Sequence, residues 1–138
     1  FNSEGLILLT NSSFFSRGLE LPENKFQRKY EIRVYGDFNL HRLKNLSKGV
    51  RINGKSYKPF KFKVTSKIKK NTNLEVVLTE GKKNEIRKIF KNINLQVNKL
   101  KRIAYGPFRL NKLLPGKLET ATKMEIEKYE NYIRSQKR

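Results

Sequence analysis

The 138-residue chain has no cysteine, no tryptophan, one histidine, one methionine and only 12 acidic residues. Each shortage closes a class of function. Without cysteine there is no disulfide and no thiolate metal site, and His41 alone cannot build a multi-histidine zinc centre. No run of about 18 apolar residues occurs, so no segment is long enough to cross a bilayer as a helix. There is no G-x-S-x-G, no Walker loop and no pair of histidines, which disfavours the common hydrolase and nucleotide-phosphate sites. The opening Phe1-Asn2-Ser3-Glu4 is neither a start methionine nor a secretory leader, and it predicts a piece that begins at an internal position.

What is abundant is positive charge. Lys and Arg total 32, for a net charge of +20, while 36% of residues are hydrophobic and 11% aromatic. That apolar fraction suffices for one folded domain, so the charge need not mean disorder. An excess of this size costs folding energy through self-repulsion and usually answers a polyanion. The plain alternative is a lysine-rich composition in which every lysine is merely solvated. No segment offers a clean basic amphipathic helix with a large apolar face, so nucleic acid is favoured over a membrane surface.

Periodicity predicts the elements. Gly5 to Thr10 is a continuous apolar run and predicts a strand buried on both faces. Ser12 to Leu19 predicts a short helix. From Lys29 to Tyr35 the residues alternate, with Tyr30, Ile32 and Val34 on one face, as in a half-buried strand. Asn39 is the expected cap of a short helix carrying Leu40, Leu43 and Leu46 and stopping near Gly49. Asn53-Gly54 predicts a two-residue hairpin turn between residues 50–52 and 55–57. Strands follow around Phe60, Phe62 and Val64 and around Leu74, Val76 and Leu78. Ile86, Ile89, Phe90 and Ile93 then recur at helical spacing, with Lys88 and Lys91 on the wet side. Leu100 to Tyr105 predicts a strand ending at Gly106-Pro107. Thr122 and Glu125 form a capping box for a last helix with Ile126, Tyr129 and Ile133 inward. Strands joined by hairpins, with a few helices, make an α+β fold with a mainly antiparallel sheet.

Chemistry concentrates around Glu80-Gly81-Lys82-Lys83-Asn84-Glu85-Ile86-Arg87. A strand ends there, the glycine is expected to permit a sharp turn, and a helix opens with a basic first turn. The helix dipole disfavours cations at that end, so Arg87 calls for an anion, either carboxylate or phosphate. The alternative is a cationic helix start facing water. His41, among Leu40, Arg42 and Leu43, is expected to be structural or exposed.

This segment resembles the pseudouridine synthases, in particular the group that modifies ribosomal RNA and usually carries an S4-like N-terminal domain. Glu80-Gly81-Lys82 and Glu85-Ile86-Arg87 are similar to the glutamate-glycine turn and the Gln/Glu-Ile/Val-Arg stretch of that family. Three further matches fall in order. Residues 2–11 resemble the stretch after the family's catalytic aspartate, residues 29–34 its Lys-x-Tyr-x-Val-x-Val strand, and residues 100–107 with 114–116 its closing segment. The resemblance covers nearly the whole chain. Lys83 and Asn84 depart from the commoner Asn followed by Arg or His.

The resemblance implies isomerisation of a specific uridine to pseudouridine in ribosomal RNA, with no cofactor and no metal. It implies that residues 1–138 are the C-terminal major part of a pseudouridine synthase catalytic domain, with the N-terminal part of that domain and any S4-like domain outside the chain. The nucleophilic aspartate is expected immediately before Phe1, attacking C1′ of the ribose or C6 of the base. The chain alone would then bind RNA without reacting. Tyr30 matches the active-site tyrosine, whose ring would stack on the flipped uracil and whose hydroxyl would take the C5 proton. Arg87 matches the basic partner of the aspartate, and Ile86 would pack beneath the uracil; a core role is the alternative for Tyr30 and Ile86. Lys58, Lys61, Lys82, Lys83, Lys88, Lys101 and Arg102 are the candidate phosphate contacts. The expected location is cytoplasmic. The competing class is a non-catalytic basic RNA-binding module such as a ribosomal protein, which explains the charge but not Tyr30 or the Glu80–Arg87 segment.

Overall fold

In the computed structural model, which describes residues 3–21, 24–82, 84–111 and 113–136, eight strands and four helices follow the predicted order closely. They are β1 (Ser3–Gly5), α1 (Ser13–Glu20), β2 (Arg28–Tyr35), α2 (Leu40–Ser47), β3 (Val50–Ile52) and β4 (Lys55–Tyr57). Then come β5 (Lys61–Ile68), β6 (Asn71–Leu78), α3 (Glu85–Asn92), β7 (Gln96–Tyr105), β8 (Phe108–Arg109) and α4 (Lys123–Gln136). The main sheet runs β1-β7-β2-β6-β5, with β8 also paired to β7; β3 and β4 form a separate hairpin. All ladders are antiparallel except β1 with β7. The expected α+β architecture with a mainly antiparallel sheet is the observed one. Among the described residues no helix is long and apolar enough to cross a membrane.

Alternation assigns the faces. Ile32 and Val34 of β2 and Leu74 and Val76 of β6 are buried, with Ile32 opposite Leu74 and Val34 opposite Thr72. Ile86, Ile89 and Phe90 of α3, with Ile93 just after it, join this cluster together with Leu43 of α2. A second cluster gathers Leu6, Leu19, Phe26, Phe108, Tyr129 and Ile133. Tyr129 is its centre, stacked 5.4 Å from Phe26 and 4.7 Å from Phe15, and its hydroxyl donates to the Phe14 carbonyl at 2.9 Å. Asn39 caps α2 by accepting from the Arg42 N–H, and Thr122 and Glu125 form the reciprocal capping box of α4. Asn53 and Gly54 both have positive φ, as the tight hairpin requires.

Three expectations need correction. Residues 6–10 are not a strand buried on both faces: Leu6 is buried, but Ile7 and Leu9 are 75% and 77% exposed. β1 pairs with β7 only along Leu100–Arg102, and the next stretch of that edge is taken by β8 at Ala104 and Tyr105. No free edge is left for the apolar run. Leu40, 44% exposed, does not share the buried face of Leu43. Steps of three residues fall about 60° short of a full turn each time, so three leucines so spaced drift around the helix. Lastly, the strand expected from Leu100 begins at Gln96 and turns at Gly106 into β8.

The contact between α1 and α4 has no room for a methyl group. A Cβ on Gly18 would lie 1.9 Å from the Tyr129 hydroxyl oxygen. Gly18→Ala should therefore destabilise by about 1–3 kcal/mol in denaturant unfolding, against the gain of about 1 kcal/mol usual for glycine to alanine in a helix. Tyr129→Phe should recover part of the loss. A neutral or stabilising Gly18→Ala would contradict this packing.

Candidate active site

The cleft lies where β2, the turn between β6 and α3, and the end of β7 converge. It holds about 390 Å³, and its walls come from both hydrophobic clusters. Tyr30 stands opposite Val76 on one side and Arg102 on the other, while Lys29 stands opposite Ala104. Ile103 is therefore the extra residue of a β-bulge. Such a bulge re-aims neighbouring side chains, and here Leu100, Arg102 and Tyr105 all line the cleft.

Arginine dominates this space. Arg28, two residues before Tyr30 on the same strand face, is 9% exposed. Its guanidinium donates to the Phe26 carbonyl at 3.1 Å and to the Tyr105 hydroxyl at 3.0 Å. Tyr105 in turn donates to the Leu19 carbonyl at 3.0 Å. The guanidinium carbons of Arg28 and Arg102 each lie 4.8 Å from the centre of the Tyr105 ring, within cation–π range. Arg102 grips the Leu6 carbonyl with Nε and Nη2 at 3.0 and 2.7 Å, and its own carbonyl accepts the Leu6 N–H at 2.8 Å. Arg87 is half-buried and donates to the Val97 carbonyl at 2.9 Å, which ties α3 to β7.

The turn that delivers Ile86 and Arg87 works differently from expectation. Gly81 does not adopt positive φ; the left-handed residue is Asn84, at φ 54°. What Gly81 provides is proximity, since a Cβ there would sit 3.3 Å from Arg28 Nε. The first turn of α3 is also not purely basic, because Glu85 occupies it and is buried. Its carboxyl accepts the Lys82 N–H at 3.2 Å. Glu80, also buried, accepts the Lys58 N–H at 2.8 Å and pairs with Lys82 Nζ at 3.2 Å. Burial, and then the Glu80 charge beside it, push Glu85 up to about 8. Burial acts on Glu80 as well, but the Lys58 N–H, the contact with Glu85 and Lys82 together hold it below the usual carboxylate range.

Of the residues singled out in the sequence, Tyr30, Ile86, Arg87, Lys82 and Arg102 line this one cleft. Lys82 is already engaged with Glu80 and lies 5.4 Å from the centre of the Tyr57 ring. Lys58, Lys61 and Lys88 are exposed and do not line it. Lys101 belongs to the opposite face of the sheet, next to Glu31. Lys83 lies outside the described residues, and His41 is exposed on α2. Arg28 and Tyr105 were missed as site residues. For Arg28 a signal existed: it shares the i, i+2 alternation of Tyr30.

Comparison with known proteins agrees with this architecture. The family described as RNA pseudouridylate synthase matches residues 1–92. An uncharacterized RNA pseudouridine synthase of Rickettsia prowazekii is 45% identical over 127 residues, covering 92% of this chain and 54% of that protein. Ribosomal large subunit pseudouridine synthase B of Buchnera aphidicola is 38% identical over 120 residues, covering 86% and 45%. A crystal structure of a pseudouridylate synthase superposes with a TM-score of 0.82 at 23% identity, over 91% of this chain and 54% of that one, and shares its fold. The chain spans about half the length of the curated relatives it matches. The family model over residues 1–92 and these sequence relatives show that the chain belongs to the RNA pseudouridylate synthase family.

Proposed function

We propose that the protein containing this chain isomerises a uridine of ribosomal RNA to pseudouridine, and that the cleft receives the flipped nucleotide. The observation that carries the reading is the convergence of Tyr30, Ile86, Leu100 and Arg87 on one cleft of nucleoside size. Its walls combine apolar surface with guanidinium groups, as an uncharged base joined to a phosphate backbone requires. The relatives named for the large ribosomal subunit support ribosomal RNA as the substrate.

In this reading the nucleophile is an aspartate encoded immediately before Phe1, and Arg87 holds it as an oriented anion. The carboxylate forms a bond to C1′ or to C6, and the N1–C1′ bond breaks. The uracil rotates, C5 bonds to C1′ and the carboxylate's bond to the substrate breaks; the C5 proton leaves to the Tyr30 oxygen as the hydroxyl passes its own proton on, and N1 gains one. Tyr30 rises from the apolar face it shares with Ile32 and Val34, so its ring offers a stacking platform beside its hydroxyl. Arg28 and Arg102, anchored by carbonyls and Tyr105, make the cleft positive and attract the RNA backbone. Lys58 and Lys88 extend phosphate contact beyond it, whereas Lys61 and Lys101, opposite Val77 and Glu31, belong to the other face of the sheet.

Each assigned role carries an expected outcome. Residues 1–138 alone should bind structured RNA yet release no tritium from C5-labelled uridine, for want of the carboxylate. Turnover by this chain, free of longer protein, would mean that the nucleophile lies within it. In the full-length enzyme, Arg87→Met should cost at least ~10²-fold in rate, about 2.7 kcal/mol of barrier, with RNA affinity little changed. Tyr30→Phe should bind normally and fail to release tritium, while Tyr30→Ala should lose both. Near-normal turnover of the Phe variant would remove the proton-transfer role; weak binding but normal saturated turnover of Arg87→Met would make Arg87 a phosphate ligand.

A further inference from the structure

Glu80 follows the end of β6 and Glu85 opens α3, and their carboxyl groups meet at Lys82 in the turn, Glu80 on its ammonium and Glu85 on its N–H, where each acts on the other's charge. Both residues are buried, at 6% and 3% exposure. An ionised carboxylate only accepts, so two of them cannot bond to each other unless one carries a proton. The distribution of donors says which. Both Glu80 oxygens already have one: Oε2 takes the Lys58 N–H and Oε1 faces the Lys82 ammonium. On Glu85, Oε1 takes the Lys82 N–H, whereas Oε2 is buried with no donor to accept from.

We propose that Glu85 is a positioning residue of the cleft: it holds a proton at neutral pH and donates it to the Glu80 carboxylate. That bond closes the β6–α3 turn from both ends and sets the direction in which Ile86 and Arg87 leave it. Through Glu80 it also fastens the link between β4 and β5, at the Lys58 N–H. Among the described residues, the charged groups acting on Glu85 are Glu80 and Lys82 from the turn, and Arg28 of β2 stands against the neighbouring Gly81. Arg87 and Lys88 belong to its own helix, Glu20 and Arg102 line the same cleft, and the Lys58 side chain is exposed. Lys82, the cation that acts on Glu85, is shared with Glu80, so burial and the Glu80 charge prevail and Glu85 stays protonated up to about 8.

The sign of the pH effect follows. Between its ordinary 4.5 and about 8, Glu85 keeps a proton in the folded chain that it releases on unfolding. Its contribution to stability is complete below that window, declines as pH rises through it, and is gone above. Ionisation then leaves two touching carboxylates at the turn that carries Arg87. The consequence for turnover rests on the isomerase reading; the proton does not.

The experiment compares full-length wild type with Glu85→Gln and Glu85→Ala. Glutamine donates to Glu80 and accepts from Lys82 at every pH. Its melting temperature should match wild type near pH 4.5, rise progressively above it to a lead of several degrees by about pH 8, and hold that lead above. Alanine, which makes neither hydrogen bond, should be less stable than the glutamine variant at every pH. The infrared band of a protonated carboxyl should be present in wild type at neutral pH and absent in the glutamine variant. Wild-type kcat should fall about tenfold by about pH 9, whereas the glutamine profile stays flat there. A melting difference independent of pH, an unchanged infrared band, or a glutamine variant that fails to fold would overturn the proposal. The expected melting and infrared results in a protein without isomerase activity would support the proton and remove the isomerase reading instead.

Discussion

The cleft depends on how β7 divides its edges. One edge pairs with β2 along its whole length, and the other is shared between β1 at Leu100–Arg102 and β8 at Ala104–Tyr105. The bulge at Ile103 falls at the changeover. It lets Arg102 stand opposite Tyr30 and still reach the Leu6 carbonyl where the chain leaves β1. Leu100, Arg102 and Tyr105 reach the cleft from this one strand, and Arg87 of α3 is tied to it at Val97.

The second constraint is electrostatic. Arg28 and Arg102 are anchored by backbone carbonyls and the Tyr105 hydroxyl, and neither makes an ion pair among the described residues. A guanidinium so held is fixed in place by its hydrogen bonds and keeps its charge. Fixed cations at the rim of an apolar cleft suit a ligand whose phosphates are charged and whose base is not. The acids near the cleft cancel only part of this field: Glu85 is proposed to carry a proton, Glu80 is spent on the Lys58 N–H and Lys82, and Glu20 faces the three lining arginines Arg28, Arg87 and Arg102.

Much of this was legible in the sequence because the signals were local. Alternation at Tyr30, Ile32 and Val34, helical spacing from Ile86 to Ile93, and the caps at Asn39 and Thr122 are decided by neighbours a few residues away. What was not legible depends on partners distant in the chain. Residues 6–10 read as a strand, but whether they pair is decided by β8, about a hundred residues later. Arg28 gains its meaning from Tyr105, and Gly81 from Arg28. The protonation of Glu85 needs burial and the Glu80 contact together, and neither can be read from the motif.

The central claim is that RNA engages this cleft and not the opposite, lysine-bearing face of the sheet. Hydrogen–deuterium exchange of the full-length protein, with and without ribosomal RNA, tests it directly. The account predicts slowed exchange at the start of β2, in the β6–α3 turn and at the end of β7. Protection confined to β5, with the cleft unaffected, would contradict it.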